Sequence, residues 1–104
     1  MTTKHYTDAQ RVVEKLLGGP LTLAMALRST REGEGWPQAT MARKLGLSRS
    51  ALCDIEHGRK GVSPARAAHF ARVLGYSEKV YVQLALQDEV ERAGLPMHVD
   101  VRAA

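Results

Sequence analysis

Residues 38–58 read QATMARKLGLSRSALCDIEHG, and the spacing of apolar residues in this segment predicts how the middle of the chain folds. Apolar side chains recur at helical spacing in two short runs, Met41, Ala42 and Leu45 in the first and Leu52 and Ile55 in the second. Leu47 lies in the turn between the runs and is predicted to point back into the core. Gly46 stands between the runs, where the chain has to leave the first helix in a left-handed conformation that favours glycine. Ser48 can then cap the second helix. The pattern predicts two helices at a wide angle joined by a short turn, which is a helix-turn-helix.

The sequence on either side of this stretch carries further helix signals. Thr7 and Gln10 form a capping box, Ser63 and Ser77 stand at further cap positions, and glycines follow the apolar runs. These signals predict six helices, at about 7–17, 20–35, 38–45, 49–58, 64–75 and 77–93. The segment Met97–Val101 alternates apolar and polar residues, which predicts one short C-terminal strand. The predicted fold class is all-α, a small helical bundle.

The length and composition indicate a single domain. The chain has 104 residues, of which 44% are hydrophobic and 25% are charged, and these are ordinary values for a globular protein. We divide the domain, residues 1–104, into a helix-turn-helix core at residues 20–75 and a C-terminal helix and tail at residues 77–104. Cys53 is the single cysteine, so the chain cannot form an internal disulfide.

The charge is unevenly distributed along the chain. Fifteen Lys and Arg residues face eleven Asp and Glu residues, which gives a formal net charge of +4. Residues 28–72 hold nine basic and four acidic side chains, whereas residues 73–104 hold three basic and five acidic ones. A basic middle and an acidic end indicate two different partners, although a basic surface that only contacts solvent fits the same counts.

A longer pattern extends from the central helices over about half of the chain. It comprises Leu27-Arg28, Arg31-Glu32, Gly35, Gln38, Met41-Ala42, Leu45-Gly46-Leu47-Ser48, Leu52, Ile55-Glu56, Gly58, Ser63-Pro64 and Leu74-Gly75. In this pattern the sequence resembles the Xre family of phage-repressor-like DNA-binding domains, also called the Cro and lambda-repressor type. Phe70–Ser77 also resembles the closing helix and turn of that family. The sequence departs from the family at Pro37, where a Ser or Thr often caps the helix.

The resemblance implies a DNA-binding helix-turn-helix fold and two specific residue roles. It implies that Gln38 hydrogen-bonds the DNA backbone from a helix N-terminus, where the helix dipole also favours anions. It further implies that Arg31 and Glu56 form an ion pair inside the fold, a structural role and not a contact with bases. Removing one partner of such a pair leaves a partly buried charge unpaired.

The outer face of the second central helix is predicted to enter the DNA major groove. Arg49 has paired donors that suit guanine, and Ala51 can contact a thymine methyl group. Asp54 has two interpretations, either as an acceptor for a cytosine amino group or as the partner of a neighbouring arginine. Flexible basic side chains suit phosphates better than bases. The full predicted DNA-binding set is Gln38, Arg43, Lys44, Ser48, Arg49, Ser50, Ala51, Asp54, Arg59 and Lys60.

The sixth predicted helix is apolar on more than one face. A domain this small can cover only one of these faces, so we expect a second copy or a partner protein to cover another. The predicted strand could pair with its twin across a two-fold axis or with a partner's sheet edge, and a frayed tail is the alternative. The predicted interface residues are Val80, Tyr81, Leu84, Met97, Val99 and Val101.

Together these features predict a dimeric, sequence-specific DNA-binding repressor of bacterial or phage type that reads a palindromic operator. One alternative is an antitoxin that neutralises a cognate toxin through its C-terminal segment and represses its own operon. Another is an adaptor that uses the fold only for protein contacts. The four histidines lack metal-ligand spacing and no phosphate loop or nucleophile motif is present, so we expect no metal, no cofactor and no enzymatic activity. We expect a cytoplasmic location, on the nucleoid when DNA is bound, and no membrane partner.

Overall fold

The computed structural model describes residues 21–104, which contain five α-helices and no strand. The helices are α1 (Leu23–Glu34), α2 (Gln38–Leu45), α3 (Arg49–Glu56), α4 (Pro64–Leu74) and α5 (Glu78–Arg92). The predicted all-α fold class is confirmed. The helix predicted at residues 7–17 lies outside the described residues. No helix between residues 21 and 104 is long and apolar enough to cross a bilayer.

The helices begin and end at capping residues. The hydroxyls of Ser48, Ser63 and Ser77 each accept a hydrogen bond from the backbone N–H three residues further on, as the sequence predicts. The start of α1 differs from the prediction near residue 20, because the hydroxyl of Thr22 accepts from the N–H of Met25 and fixes the first turn there. The end of α3 lies two residues before the predicted Gly58.

The core lies among all five helices. Its largest fully buried apolar side chains are those of Leu23, Leu27, Met41, Leu52 and Phe70. The most extensive helix–helix contact joins α4 to α5, and α2 packs on both α3 and α4. α3 buries only the side chains of Leu52, Ile55 and Glu56, so its opposite face remains at the surface.

The C-terminal strand predicted at Met97–Val101 is not present among residues 21–104. Residues 95–104, which we call the tail, have no regular secondary structure and lie beside α5. The side-chain amide of Gln87 donates to the carbonyl of Met97 at 2.9 Å and accepts from the N–H of Val99 at 2.7 Å. A strand needs a second strand to pair with, and none is present among residues 21–104. Glutamine side chains of α5 instead make the hydrogen bonds to the tail backbone that a partner strand would make.

Candidate nucleic-acid interface

The turn between α2 and α3 positions the candidate interface. Gly46 has φ 73° and ψ 30°, a left-handed conformation. Its N–H and that of Leu47 close the helix end by donating to the carbonyls of Arg43 and Ala42 at 3.3 and 2.8 Å. A Cβ at Gly46 would contact nothing within 4 Å, so glycine is favoured there by the backbone conformation and not by space. The turn therefore fixes how α3 leaves α2.

The outer face of α3 is polar and exposed. Arg49 and Ser50 are exposed, and Ala51 is half-buried. Arg49 makes no hydrogen bond or ion pair with any described residue from 21 to 104. It lines a cleft of about 380 Å³ together with Gln38, Ser50 and Cys53. Arg49 is the charged residue of this lining, and its positive charge suits an anionic ligand.

Glu56 lies beneath this face and joins three helices. Its carboxylate is 1% exposed and accepts two hydrogen bonds from the Arg31 guanidinium, from Nε at 2.7 Å and from Nη2 at 3.0 Å. The hydrogen bond to Glu56 raises the pKa of Arg31 above its ordinary value. Arg28 donates to the backbone carbonyl of Glu56 at 3.0 Å, and Arg31 also donates to the carbonyl of Trp36 at 3.2 Å. These bonds fix α3 against α1 and the loop before α2.

Gln38 belongs to the same network. Its Nε2 donates to Oε1 of Glu56 at 3.2 Å, so one of its two amide protons is used inside the protein. The second proton remains for a ligand, because a primary amide carries two donors. Pro37, which precedes Gln38, makes no side-chain cap, and yet α2 begins at Gln38. The departure from the usual hydroxyl cap therefore does not move the start of this helix.

Asp54 holds the chain that follows α3. Its carboxylate accepts from Nε of Arg59 at 2.8 Å and lies 3.9 Å from Nζ of Lys60. Its backbone carbonyl accepts from the N–H groups of the same two residues, at 2.8 and 3.3 Å. The hydrogen bond from Arg59 lowers the pKa of Asp54 and raises that of Arg59. Of the two interpretations of Asp54, the structure contains the arginine pair.

A comparison with protein families adds to this geometry. The family model described as a helix-turn-helix domain matches residues 22–80, which is more than half of the chain. The chain belongs to the helix-turn-helix domain family. The matched range begins at the cap of α1 and ends in the first turn of α5. Searches of curated proteins and of solved structures found no match.

Within the helix-turn-helix domain, basic residues flank α3 on both sides. Arg43 and Lys44 lie in the last turn of α2, and Arg59 and Lys60 follow α3. Nζ of Lys44 lies 4.7 Å from the centre of the Trp36 ring, so this ammonium group also makes a cation–π contact. Ser48 uses its hydroxyl oxygen as the cap of α3, and its O–H remains free to donate.

The interface predicted on the C-terminal helix needs correction. Tyr81 and Leu84 are 3% and 4% exposed, so they belong to the hydrophobic core and offer almost no surface to a partner. Val80 is partly buried against the same core. The tail keeps accessible residues: Met97 is 61% exposed, and Val99 and Val101 are half-buried.

The sequence did not reveal the roles of two arginines, Arg28 and Arg92. Arg28 lies three residues before Arg31, and this spacing places both on one face of α1, so helical periodicity could have revealed it. Arg92 donates from Nη2 to the carbonyl of Gly58 at 2.9 Å and so holds the segment that carries Arg59. No local sequence signal identifies Arg92, because its partner lies 34 residues away in the chain.

Proposed function

We propose that this protein is a sequence-specific regulator of transcription that binds double-stranded DNA and acts as a dimeric repressor. The observation that carries the proposal is the free guanidinium of Arg49 on the exposed face of α3. The buried Glu56 network below that face keeps α3 in a fixed orientation. A fixed helix with an unpaired, exposed arginine is suited to reading base edges in a major groove.

Arg49, Ser50 and Ala51 are the proposed base-reading residues. A guanidinium can donate two parallel hydrogen bonds to O6 and N7 of guanine, and such a contact discriminates by about 1–3 kcal/mol. A serine hydroxyl can pair with more than one base, and an alanine methyl group suits the methyl group of thymine. All three lie in the first turn of α3, where recognition helices contact bases.

The proposed phosphate ligands surround this turn. Gln38 retains one amide proton and Ser48 retains its hydroxyl proton, so both can donate to a phosphate oxygen. The side chains of Arg59 and Lys60 are 55% and 68% exposed, which leaves donors free beyond their bonds to Asp54. Arg43 and Lys44 complete the set. These contacts supply affinity that falls with salt, and they carry little sequence information.

Asp54 has a positioning role in this proposal. A carboxylate next to phosphates would be repelled if it were unpaired. Because its charge is neutralised by Arg59 and Lys60, it instead keeps two cations at the C-terminal end of α3.

A dimer would place two copies of α3 about 34 Å apart, one turn of DNA, and would read an inverted repeat. A protein bound there competes with RNA polymerase for the site, which is repression. This function requires no metal and no cofactor, and it belongs in the cytoplasm, on the nucleoid.

In vitro selection from random duplex DNA at near-physiological salt tests the proposed function. We expect enrichment of an inverted repeat. Retention of DNA without enrichment, which disappears steeply as salt is raised, would mean phosphate binding alone and would contradict a sequence-specific regulator.

The second candidate function is an antitoxin. The observation that favours it is the acidic final third of the chain, residues 73–104, which ends in a tail with exposed Leu95 and Met97. A basic toxin would suit that surface. Truncation after Gly94 tests this candidate, because an antitoxin would then lose neutralisation of the protein encoded beside it.

A further inference from the structure

The tail has the geometry of an extended chain. Gln87 contacts both Met97 and Val99, and Gln83, one helical turn earlier, accepts from the N–H of Val101 at 3.2 Å. One helical turn is about 5.4 Å and two extended residues span about 6.6 Å, so glutamines four apart match tail residues two apart. The contacts therefore indicate an extended tail that runs antiparallel to α5.

The opposite edge of the tail is unpaired. Within the described residues 21–104, the backbone N–H groups of His98, Asp100 and Arg102 have no hydrogen-bond partner. In an extended chain the polar groups of alternate residues point to opposite sides, so these three residues present theirs away from α5. Their side chains are exposed as well. An unpaired edge of this kind is a template for another extended chain.

We propose that the occupant of this edge is the tail of a second copy of this chain, paired antiparallel across a two-fold axis. In the proposed register Asp100 lies opposite the partner's Arg102, and Arg102 lies opposite the partner's Asp100. This pairing would supply the dimer contact of the repressor proposed above. Only the purpose of the dimer rests on that proposed function.

The charges of the tail select the second copy and the register. Asp100 and Arg102 are 65% and 86% exposed on their side chains and lie 3.4 Å apart within one tail. If the two-fold axis passed through Asp100, the Asp100 carboxylates of the two tails would lie opposite each other, which is unfavourable. Moving the axis to Val101 replaces this repulsion with two opposite-charge pairs. Moving the axis to Val99 instead would place Pro96 at a position whose N–H has to donate to the partner tail, and proline has no N–H.

The experiment measures the dimer dissociation constant by sedimentation velocity, without DNA, for the full chain and three variants. Asp100→Arg and Arg102→Asp each place like charges opposite one another, and the double variant Asp100→Arg/Arg102→Asp restores opposite charges. We expect each single change to weaken the dimer about tenfold and the double change to restore it. Raising the salt concentration should weaken the wild-type dimer and reduce the differences.

Glu34→Arg is the matched control, because it changes the net charge as Asp100→Arg does but lies at the end of α1. Thermal unfolding of every variant checks that the fold is intact. A monomeric wild-type chain overturns the inference, and so do single variants that dimerise like the wild type or a double variant that fails to recover. Because no DNA is present, failure of DNA binding would contradict the proposed function and leave this result standing.

Discussion

At the level of the single residue, Glu56 determines how α3 is held against α1 and α2. Its buried carboxylate accepts from Arg31 and Gln38, and its backbone carbonyl accepts from Arg28. The pairing with Arg31 could be predicted, because the family pattern places these two residues together. The hydrogen bonds from Gln38 and Arg28 could not be predicted from the sequence. They depend on how three helices meet in space, because that arrangement decides which donor reaches a buried acceptor.

Glu56→Gln should destabilise the protein by about 3–5 kcal/mol, because it leaves the Arg31 guanidinium with a neutral partner in a largely buried site. The free energy of unfolding in urea measures this cost. Glu34→Gln is the control, since Glu34 is exposed and forms no ion pair with another described residue, and its effect should stay within about 0.5 kcal/mol. Equal effects for the two variants would contradict the structural role of Glu56.

At the scale of the element, the helix boundaries follow from capping residues that the sequence displays. Ser48, Ser63 and Ser77 mark their helices correctly because a serine cap acts on a neighbouring N–H and needs no tertiary contact. The tail was predicted as a strand because the pattern of Met97–Val101 alternates. Alternation indicates an extended chain, but a strand also requires a partner strand, and that is a tertiary property.

Gly46 and Gly33 should respond in opposite ways to the same substitution. Gly46→Ala forces a non-glycine residue into a left-handed conformation and should cost about 1–2 kcal/mol. Gly33→Ala places alanine in the last turn of α1, where its Cβ meets nothing within 4 Å, and should stabilise by about 0.5–1 kcal/mol. Urea unfolding of both variants measures the difference, and a shared sign would contradict the assigned turn geometry.

Asp88 on α5 should make stability depend on pH. Burial raises its pKa, with a further contribution from Glu91, and opposing effects come from Arg92 and the N–H of Leu23. Because the folded-state pKa is raised, the stabilisation belongs to the protonated form: it is present below the unfolded-state pKa and is lost as pH rises through the folded-state pKa.

Asp88→Asn should therefore be more stable than the wild type at pH 7, since asparagine has nearly the same size and carries no charge that burial would penalise. The advantage should disappear near pH 3, and urea midpoints at the two pH values test this. An advantage that is the same at both pH values would show that the charge is not its cause.

At the scale of the whole molecule, a basic helix-turn-helix precedes an acidic helix and tail. The domain family and the all-α class could be predicted, because short helices with local caps and a glycine turn are encoded over adjacent residues. Which side of α5 is buried could not be predicted from the sequence. Tyr81 and Leu84 were assigned to a partner interface because the helix is apolar on several faces, and only its packing on α4 decides which face is the core.

Base reading by Arg49 on α3 can be tested by comparing three proteins on two duplexes. The affinities of wild type, Arg49→Ala and Arg43→Ala are measured on the selected duplex and on a scrambled duplex at one salt concentration. Arg49→Ala should lose about 1–3 kcal/mol of discrimination between the two duplexes. Arg43→Ala should weaken binding to both duplexes alike, as a phosphate contact does. Unchanged discrimination in Arg49→Ala would contradict base reading by this residue.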